Sequence, residues 1–225
     1  MKCAVAVFAK TAGLSSVKTR LAASIGKDQA EKFYCLSVAA IRETLSLLNE
    51  DFSVHWALAE KEAVEFDEWQ DLPALWTGEG GLGTRVANIS ETLFQNHDAV
   101  MLVGTDSPQL ETAHFEGAMR KLQKFPDACI AGPAEDGGFY LFLSAQPVTR
   151  AIWESVSYSQ SDTLAQLVVK LAQQEREIIH LSAEQDVDMI EDLTRLQGRM
   201  EARFKNLNRG QKKLLDWLND NSNLF

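Results

Sequence analysis

The sequence predicts a three-layer αβα domain in which helices cover both faces of a mixed, mainly parallel β-sheet. Short apolar runs of strand length alternate along the chain with amphipathic helical patterns. Such alternation is typical of parallel strands, because parallel neighbours need a crossover connection between them. The exception is the pair 128–131 and 139–143, which only seven residues separate. That link is too short for a crossover helix, so the sheet is expected to be mixed.

The apolar run 3–8 stops before Lys10 and predicts a buried first strand. Asp28 and Glu31 have the spacing of a capping box before a long amphipathic helix. The same patterns place the other elements. Strands are expected at 3–8, 53–59, 74–77, 99–104, 128–131, 139–143 and 177–181, and helices at 28–48, 84–94, 112–124 and 163–173.

The composition is that of an ordinary globular protein. The chain has 225 residues, 45% hydrophobic and 24% charged, with a formal net charge of −10. A net acidic surface disfavours nucleic acids and anionic membranes as partners, and no segment approaches transmembrane length. The three cysteines are widely spaced in mostly apolar surroundings, which predicts buried thiols in a reducing cytoplasm, and the four histidines lack metal-ligand spacing.

The charge balance changes near the C-terminus. Residues 199–225 carry six basic and three acidic side chains, a balance of +3 that leaves −13 for residues 1–198. Leu214, Leu215, Trp217 and Leu218 mark a short amphipathic helix. We therefore expect one main domain over 1–198 and a helical appendage over 199–225 that packs on it.

The polar loop after the first strand contains Lys18 and Arg20. If Val17 to Arg20 is extended, both cations project to the same side. Ligands of open α/β sheets bind at the carboxyl ends of the strands, where such a pair suits a diphosphate. A solvated basic loop is the alternative.

Gly78, Gly80 and Gly83 fit the pattern G-x-G-x-x-G, and Asp106 follows Gly83 by 23 residues. This spacing resembles a dinucleotide-binding fingerprint. However, two predicted strands precede the strand that it follows, whereas the fingerprint normally follows the first. A flexible glycine loop before a helix is the alternative.

Asp106 follows an apolar strand at its carboxyl end, which suits a ligand of Mg²⁺ or Mn²⁺. Capping of the next turn is the alternative. Asp136 lies in a Glu-Asp-Gly-Gly turn whose glycines are expected to have positive φ, and Asp188 precedes Glu191 at capping-box distance. Either of these two carboxylates is a candidate to complete a metal site with Asp106.

These motifs, in this order, resemble the nucleotide-diphospho-sugar transferase (GT-A) superfamily. More narrowly, they are similar to a bacterial family of glycosyltransferase-like proteins. The resemblance spans roughly residues 3–196. The matching blocks are Lys10, 17–21, 80–85, 104–108, 132–140, 186–188 and 191–193.

The resemblance implies a GT-A fold that binds a nucleotide sugar or a nucleoside triphosphate together with Mg²⁺ or Mn²⁺. It reassigns the glycine motif from a nicotinamide site to a Gly-x-x-Leu-Gly block, which leaves a dehydrogenase as the last alternative. Asp106 and Asp188 are the expected metal ligands, and Lys18, Arg20 and Asp136 the expected catalytic residues. The expected nucleotide-binding residues are Lys10, Lys18, Arg20, Gly81, Gly83 and Arg85.

The expected activity is that of a metal-dependent nucleotide-sugar glycosyltransferase acting on a small-molecule acceptor. A nucleotidyltransferase that releases pyrophosphate and a catalytically weakened nucleotide-binding module are the alternatives. The second is supported by Ala12, Leu14 and Ser15, which stand where the family usually has two prolines and a glycine. Proline fixes φ and glycine permits close backbone approach, so their loss predicts a looser phosphate loop.

Overall fold

The computed structural model describes residues 1–225 and is built around one seven-stranded sheet. The strands are β1 (Cys3–Ala9), β2 (Phe52–Leu58), β3 (Ala74–Trp76), β4 (Ala99–Val103), β5 (Cys129–Pro133), β6 (Phe139–Ser144) and β7 (Ile178–His180). The helices are α1 (Thr19–Ile25), α2 (Lys27–Ser46), α3 (Leu82–Leu93), α4 (Thr112–Lys124), α5 (Arg150–Ser155), α6 (Thr163–Ala172), α7 (Ile190–Ala202) and α8 (Arg209–Asp220). None of these helices combines the length and the apolar character needed to cross a membrane.

The strand order is β3-β2-β1-β4-β6-β5-β7, and β6 is antiparallel to both of its neighbours. All other pairs are parallel. The sheet is therefore mixed and mainly parallel, as predicted, and the short link between β5 and β6 is its antiparallel connection. This order brings the carboxyl ends of six strands to one edge of the sheet.

Two apolar cores cover the two faces of the sheet, because alternate residues of β1 point to opposite sides. Val5 and Val7 face a core formed with α2 and α4, whereas Ala4 and Ala6 face a core formed with α3, α5 and α6. The three layers that the sequence predicts are confirmed.

A third apolar core lies outside the sheet, between α1, α2, α7 and α8. Phe33 of α2 contacts Trp217 of α8 with ring centroids 5.8 Å apart, and Leu214 and Leu218 are fully buried there. The predicted division after residue 198 lies inside α7, which runs from Ile190 to Ala202. Whether residues 199–225 form a separate unit stays a prediction.

The structure corrects the predicted conformation of the loop after β1. Val17 to Arg20 is not extended: α1 begins at Thr19, and Lys18 has left-handed backbone dihedrals with φ of 45°. The argument that placed Lys18 and Arg20 on one side by strand alternation is therefore wrong. A non-glycine residue in this conformation is uncommon and is held by its surroundings, which here means the side-chain contacts of Lys18.

The loop from Lys10 to Val17 is held by hydrogen bonds, and its looseness relative to the family stays a prediction. Thr11 O accepts from the N–H groups of Leu14 and Ser15 at 3.1 and 3.0 Å, and the Trp69 indole donates to Thr11 Oγ1 at 3.1 Å.

Two expectations about other parts of the chain fail. Cys35 is exposed, whereas the other two thiols are buried, and Asp28 does not cap α2, whose N-cap is Gly26 without a side-chain cap.

Gly83 marks the close packing of α3 on α5. A Cβ added at Gly83 would lie 2.3 Å from the Trp153 carbonyl oxygen, whereas one added at Gly81 meets nothing within 4 Å. We expect Gly83→Ala to lower the free energy of unfolding by about 2 kcal/mol through overpacking. Gly81→Ala is the matched control, with an expected loss below about 1 kcal/mol. Urea unfolding of both variants tests this, and similar losses would contradict it.

Candidate active site

Lys18 lies at the centre of a buried ion-pair cluster at the carboxyl edge of the sheet. Its side chain is 3% exposed. The ammonium is paired with Asp106 Oδ1, lies 3.0 Å from Asp188 Oδ1, and donates to the Val187 carbonyl at 2.6 Å. An ammonium has three N–H donors, so these acceptors use all of them. Burial by itself lowers the pKa of Lys18, but the charges of Asp106 and Asp188 outweigh it, and the pKa is raised.

Three segments of the chain meet to form this cluster. Lys18 precedes α1, Asp106 follows β4, and Asp188 lies between β7 and α7. The segment with Asp188 reaches across the sheet edge, where the Val187 N–H donates to the Asp106 carbonyl at 3.0 Å. The structure therefore brings together Lys18 and the two expected metal ligands, although they are far apart in sequence.

Asp186 adds a third carboxyl group next to this cluster. Ser107 Oγ donates to Asp186 Oδ1. Burial raises the pKa of Asp186 to about 7; the Ser107 hydrogen bond and Lys18 oppose the increase, and the charges of Asp106 and Asp136 add to it. The turn between β5 and β6 lies beside the segment that leads to Asp186, because the Glu135 N–H donates to the Glu184 carbonyl at 3.1 Å.

Asp136 itself is exposed in its turn. Its Oδ1 accepts from the Gly138 N–H at 2.8 Å, which fixes the carboxylate over the turn. Gly137 has the predicted positive φ, at 93°, whereas Gly138 does not. Asp136 therefore has a solvent-facing carboxylate beside the buried cluster.

Arg20 and Lys10 are the two exposed cations at this edge. The Arg20 side chain is 64% exposed, with Nη1 3.9 Å from Asp188 Oδ2. The Lys10 ammonium forms no ion pair, and the Tyr34 hydroxyl holds its backbone by accepting from the N–H at 2.8 Å and donating to the carbonyl at 2.9 Å. Unlike Lys18, both have donors available to an anion.

Gly81, Gly83 and Arg85 lie in and after the loop between β3 and α3. Arg85 Nη1 donates to the Ala59 carbonyl and to Thr77 Oγ1, both at 2.8 Å, and its Nε donates to the Gly80 carbonyl at 3.0 Å. Arg85 therefore orders the loop. An open cleft of about 390 Å³ begins at Gly81 and Gly83. None of its lining residues belongs to the Lys18 cluster; they are Gly81, Leu82, Gly83, Thr84, Glu154, Val156 and Tyr158.

Helix α7 starts differently from the prediction. Its N-cap is Met189, whose side chain makes no capping hydrogen bond, and the carboxylate that caps the helix is that of Asp192 and not of Glu191. Asp192 Oδ2 accepts from the backbone N–H groups of Asp188 and Met189 at 2.9 and 2.7 Å. Asp188 is thereby free of a capping role, and its carboxylate faces Lys18.

Three side chains that no sequence pattern assigned to the site support it, namely Ser107, Asp192 and Glu184. Ser107 and Asp192 lie within blocks that were recognised, beside the residues expected to act. Glu184 has no local signal, because its partners His114, Gln109 and Arg199 come from α4, its preceding loop and α7.

Asp106 and Asp188 have the chemistry of a magnesium or manganese site. Their side chains are 50% and 40% exposed, and each directs one hard oxygen to a shared cation, the Lys18 ammonium. No group of three or more aspartate, glutamate, histidine or cysteine side chains is arranged to hold a metal. Mg²⁺ usually binds through one or two protein carboxylates together with substrate phosphates, so this pair fits such an ion.

We expect Lys18→Met to lower the free energy of unfolding by about 2 kcal/mol, because it leaves Asp106 and Asp188 without their shared cation. The half-exposed carboxylates can hydrate, which keeps the loss below that of a fully buried pair. Lys10→Met is the control and should change stability by less than about 0.5 kcal/mol, since its ammonium has no partner. Chemical unfolding at pH 7 measures both, and equal stabilities would contradict the assigned role.

The contact between His114 and Glu184, next to the segment that carries Asp186 and Asp188, can be tested through the pKa of His114. Burial lowers its pKa, but Glu184, 3.2 Å from Nε2, outweighs burial, so the pKa lies above the ordinary 6.5. A raised folded-state pKa means that this contribution to stability is complete below the unfolded-state pKa and is lost as pH rises through the folded-state value. In an NMR titration, Glu184→Gln should lower the His114 pKa. An unchanged pKa would rule out the interaction.

The chain has the same fold as several solved structures. A protein from Desulfovibrio desulfuricans G20, assigned as a nucleotide-diphospho-sugar transferase, is 22% identical, with a TM-score of 0.85 over 100% of this chain and 97% of that one. The 4-diphosphocytidyl-2C-methyl-D-erythritol synthase of Anaerococcus prevotii is 9% identical, with a TM-score of 0.55 over 85% and 92%. A CMP:2-keto-3-deoxy-manno-octonic acid synthetase complexed with CTP is 12% identical, with a TM-score of 0.51 over 90% and 100%.

These likenesses confirm the predicted nucleotide-diphospho-sugar transferase fold. No curated protein matches the sequence. Residues 40–160 match the family described as "Uncharacterized protein conserved in bacteria (DUF2064)". The matched region includes Asp106 and Asp136 and extends over more than half of the chain. The chain therefore belongs to this bacterial family.

Proposed function

We propose that the protein is a metal-dependent transferase that uses a nucleotide-activated donor, and that its donor is a nucleotide sugar. The observation that carries the proposal is the convergence of Lys18, Asp106, Asp186 and Asp188 at the carboxyl edge of the sheet. Ligands of open α/β sheets bind at this edge. The name of the Desulfovibrio protein with this fold supports a sugar donor.

Asp106 and Asp188 would hold Mg²⁺ or Mn²⁺, whose charge would neutralise the donor phosphates. The acidic cluster would otherwise repel a diphosphate, so an added cation is consistent with the local charge. The pKa of Asp186 is raised mainly by burial, and the charges of Asp106 and Asp136 add to the increase.

Arg20 and Lys10 would bind the phosphates, because both have free donors near the cluster. Lys18 would stabilise the charge that develops on the leaving group only by giving up one of its three present acceptors. Until then, it holds Asp106 and Asp188 side by side. The cleft at Gly81 and Gly83, next to the loop ordered by Arg85, would receive the nucleoside.

Asp136 would face the acceptor. Its carboxylate is exposed, fixed by the Gly138 N–H and close enough to influence Asp186. An exposed carboxylate in this place is suited to accept a proton from an acceptor hydroxyl or to orient that hydroxyl.

A nucleotidyltransferase is the second candidate, supported by relatives in fold that are named as a diphosphocytidyl-erythritol synthase and as a synthetase complexed with CTP. Such an enzyme would bind a nucleoside triphosphate and release pyrophosphate, whereas a glycosyltransferase would release a nucleoside diphosphate. A weakened binding module is a less favoured alternative, since the loop from Lys10 to Val17 is ordered by its own hydrogen bonds despite its altered sequence.

We expect a nucleotide sugar to raise the melting temperature in the presence of Mn²⁺ and to have a smaller effect in its absence. Asp106→Asn should remove the Mn²⁺-dependent part of this rise in melting temperature, because it eliminates the charge of a proposed metal ligand. Asp136→Asn is the matched control, because it changes an acceptor-side carboxylate and should preserve the shift. A thermal-shift panel of nucleotide sugars, nucleoside triphosphates and NAD(P) measures these effects.

Stabilisation by triphosphates but not by nucleotide sugars would favour the nucleotidyltransferase. An Mn²⁺-dependent shift that survives in Asp106→Asn would contradict the metal site. No shift with any nucleotide, or a shift with NAD(P) alone, would overturn the proposed function.

A further inference from the structure

We infer that Arg195 and Arg199 of α7 are positioning residues that tie together the two acidic loops of the site. The inference rests on the proposed function, in which the turn with Asp136 and the segment with Asp186 and Asp188 must face each other. Neither guanidinium forms an ion pair with Asp106, Asp136 or Asp188. Their influence on the site is therefore exerted through other side chains.

Arg199 bridges the two loops directly. Its Nη2 lies 3.1 Å from Glu135 Oε1, and its Nη1 lies 3.1 Å from Glu184 Oε2. Glu135 is the residue before Asp136, and Glu184 stands two residues before Asp186. One planar guanidinium thus holds a carboxylate from each loop, a geometry that the single ammonium of lysine does not reproduce.

Arg195, one helical turn earlier, extends the same connection towards Asp188. Its Nη1 lies 3.3 Å from Glu135 Oε2, and its Nη2 lies 2.5 Å from Asp192 Oδ1. The second oxygen of Asp192 accepts from the backbone N–H of Asp188 at 2.9 Å. Both oxygens of Glu135 are therefore fixed from α7, and Arg195 is linked to the backbone of Asp188 through one side chain.

The backbones of the two loops are also paired where the arginines meet them. The Glu135 N–H donates to the Glu184 carbonyl at 3.1 Å, and the Glu184 N–H donates to the Pro133 carbonyl at 3.0 Å. This single parallel bridge, between Ala134 and Glu184, lies directly beyond the end of β5 and outside the strands of the sheet. It anchors the start of each loop, and the ion pairs of the two arginines add side-chain contacts between the loops at the same place.

Arg199 and Glu135 are exposed enough that losing their ion pair should affect the position of the loops more than the stability of the whole domain. Arg199 and Glu135 are 40% and 41% exposed, and ion pairs between exposed groups contribute little to the stability of the fold. The Glu184 carboxylate is only 9% exposed, but it also has His114 and Gln109 as partners. Removing Arg199 should therefore loosen the bridge between the loops without unfolding the domain.

Arg199→Gln tests the inference, with Arg203→Gln as the matched control. Arg203 follows the last turn of α7, is 43% exposed and lies 3.1 Å from Glu111 Oε1, but it contacts neither loop. Two measurements are made on the full chain. Amide hydrogen exchange of residues 134–138 and 184–189 reports loop positioning, and the Kd for Mn²⁺ alone reports the Asp106–Asp188 pair.

In Arg199→Gln, we expect exchange in both loops to increase and the Kd for Mn²⁺ to rise about tenfold, as is typical when the groups that orient metal ligands are lost. Exchange in the central strands should not change. Arg203→Gln should alter neither measurement. Arg199→Lys should give intermediate values, because it keeps the charge but only one of the two contacts.

Glu135→Gln provides an independent check through a double-mutant cycle. If Arg199 acts through Glu135, the effects of Arg199→Gln and Glu135→Gln on the Kd should be less than additive. Unchanged exchange in both loops of Arg199→Gln, or equal effects of Arg199→Gln and Arg203→Gln, would overturn the inference. Faster exchange in the loops of Arg199→Gln with an unaltered Kd for Mn²⁺ would also overturn it. If the wild-type protein binds no Mn²⁺, the proposed metal site fails, and the exchange data alone decide whether the two loops are tied by Arg199.

Discussion

The buried ammonium of Lys18 is the interaction on which the arrangement of the site depends. A charge that is 3% exposed requires partners of opposite charge, and Asp106 and Asp188 supply them from two distant parts of the chain. The requirement also explains the local backbone. Lys18 has a left-handed conformation directly before α1, and the ion pairs compensate for the cost of that conformation.

The order of the strands makes this meeting possible. β1 and β4 are parallel neighbours, so the residues that follow them emerge at the same edge. The antiparallel β6 separates β4 from β5, and the chain after β7 must therefore extend back along the edge to bring Asp188 to Lys18. The core between α1, α2, α7 and α8 closes around this segment, since Val187, Leu193 and Leu21 are all buried within it.

The sequence was sufficient to predict the layers, the mixed sheet and all seven strands, because apolar runs and turn residues are local signals. It failed where a distant contact decides the local structure. The dihedrals of Lys18 and the start of α1 depend on Asp106 and Asp188, which no window around residue 18 contains. The error at α7 is local: the helix has Met189 and not Asp188 as its N-cap, so the capping carboxylate three residues later is Asp192 and not Glu191. The resemblance identified Asp106 and Asp188 as candidates. The roles of Glu184, Arg195 and Arg199 depend on contacts between α7 and distant loops, which the sequence does not show.

The distance along the chain between Lys18 and Asp188 has a consequence for the order of folding. These residues are 170 positions apart, so their contact closes one of the longest loops available to the chain. Contacts of such separation form late and slow the folding of a domain. During synthesis, β1 to β6 emerge before Asp188 has left the ribosome. Until then, Lys18 can pair with Asp106 but not with Asp188. The site is therefore absent from every shorter nascent chain, and its completion coincides with the arrival of α7.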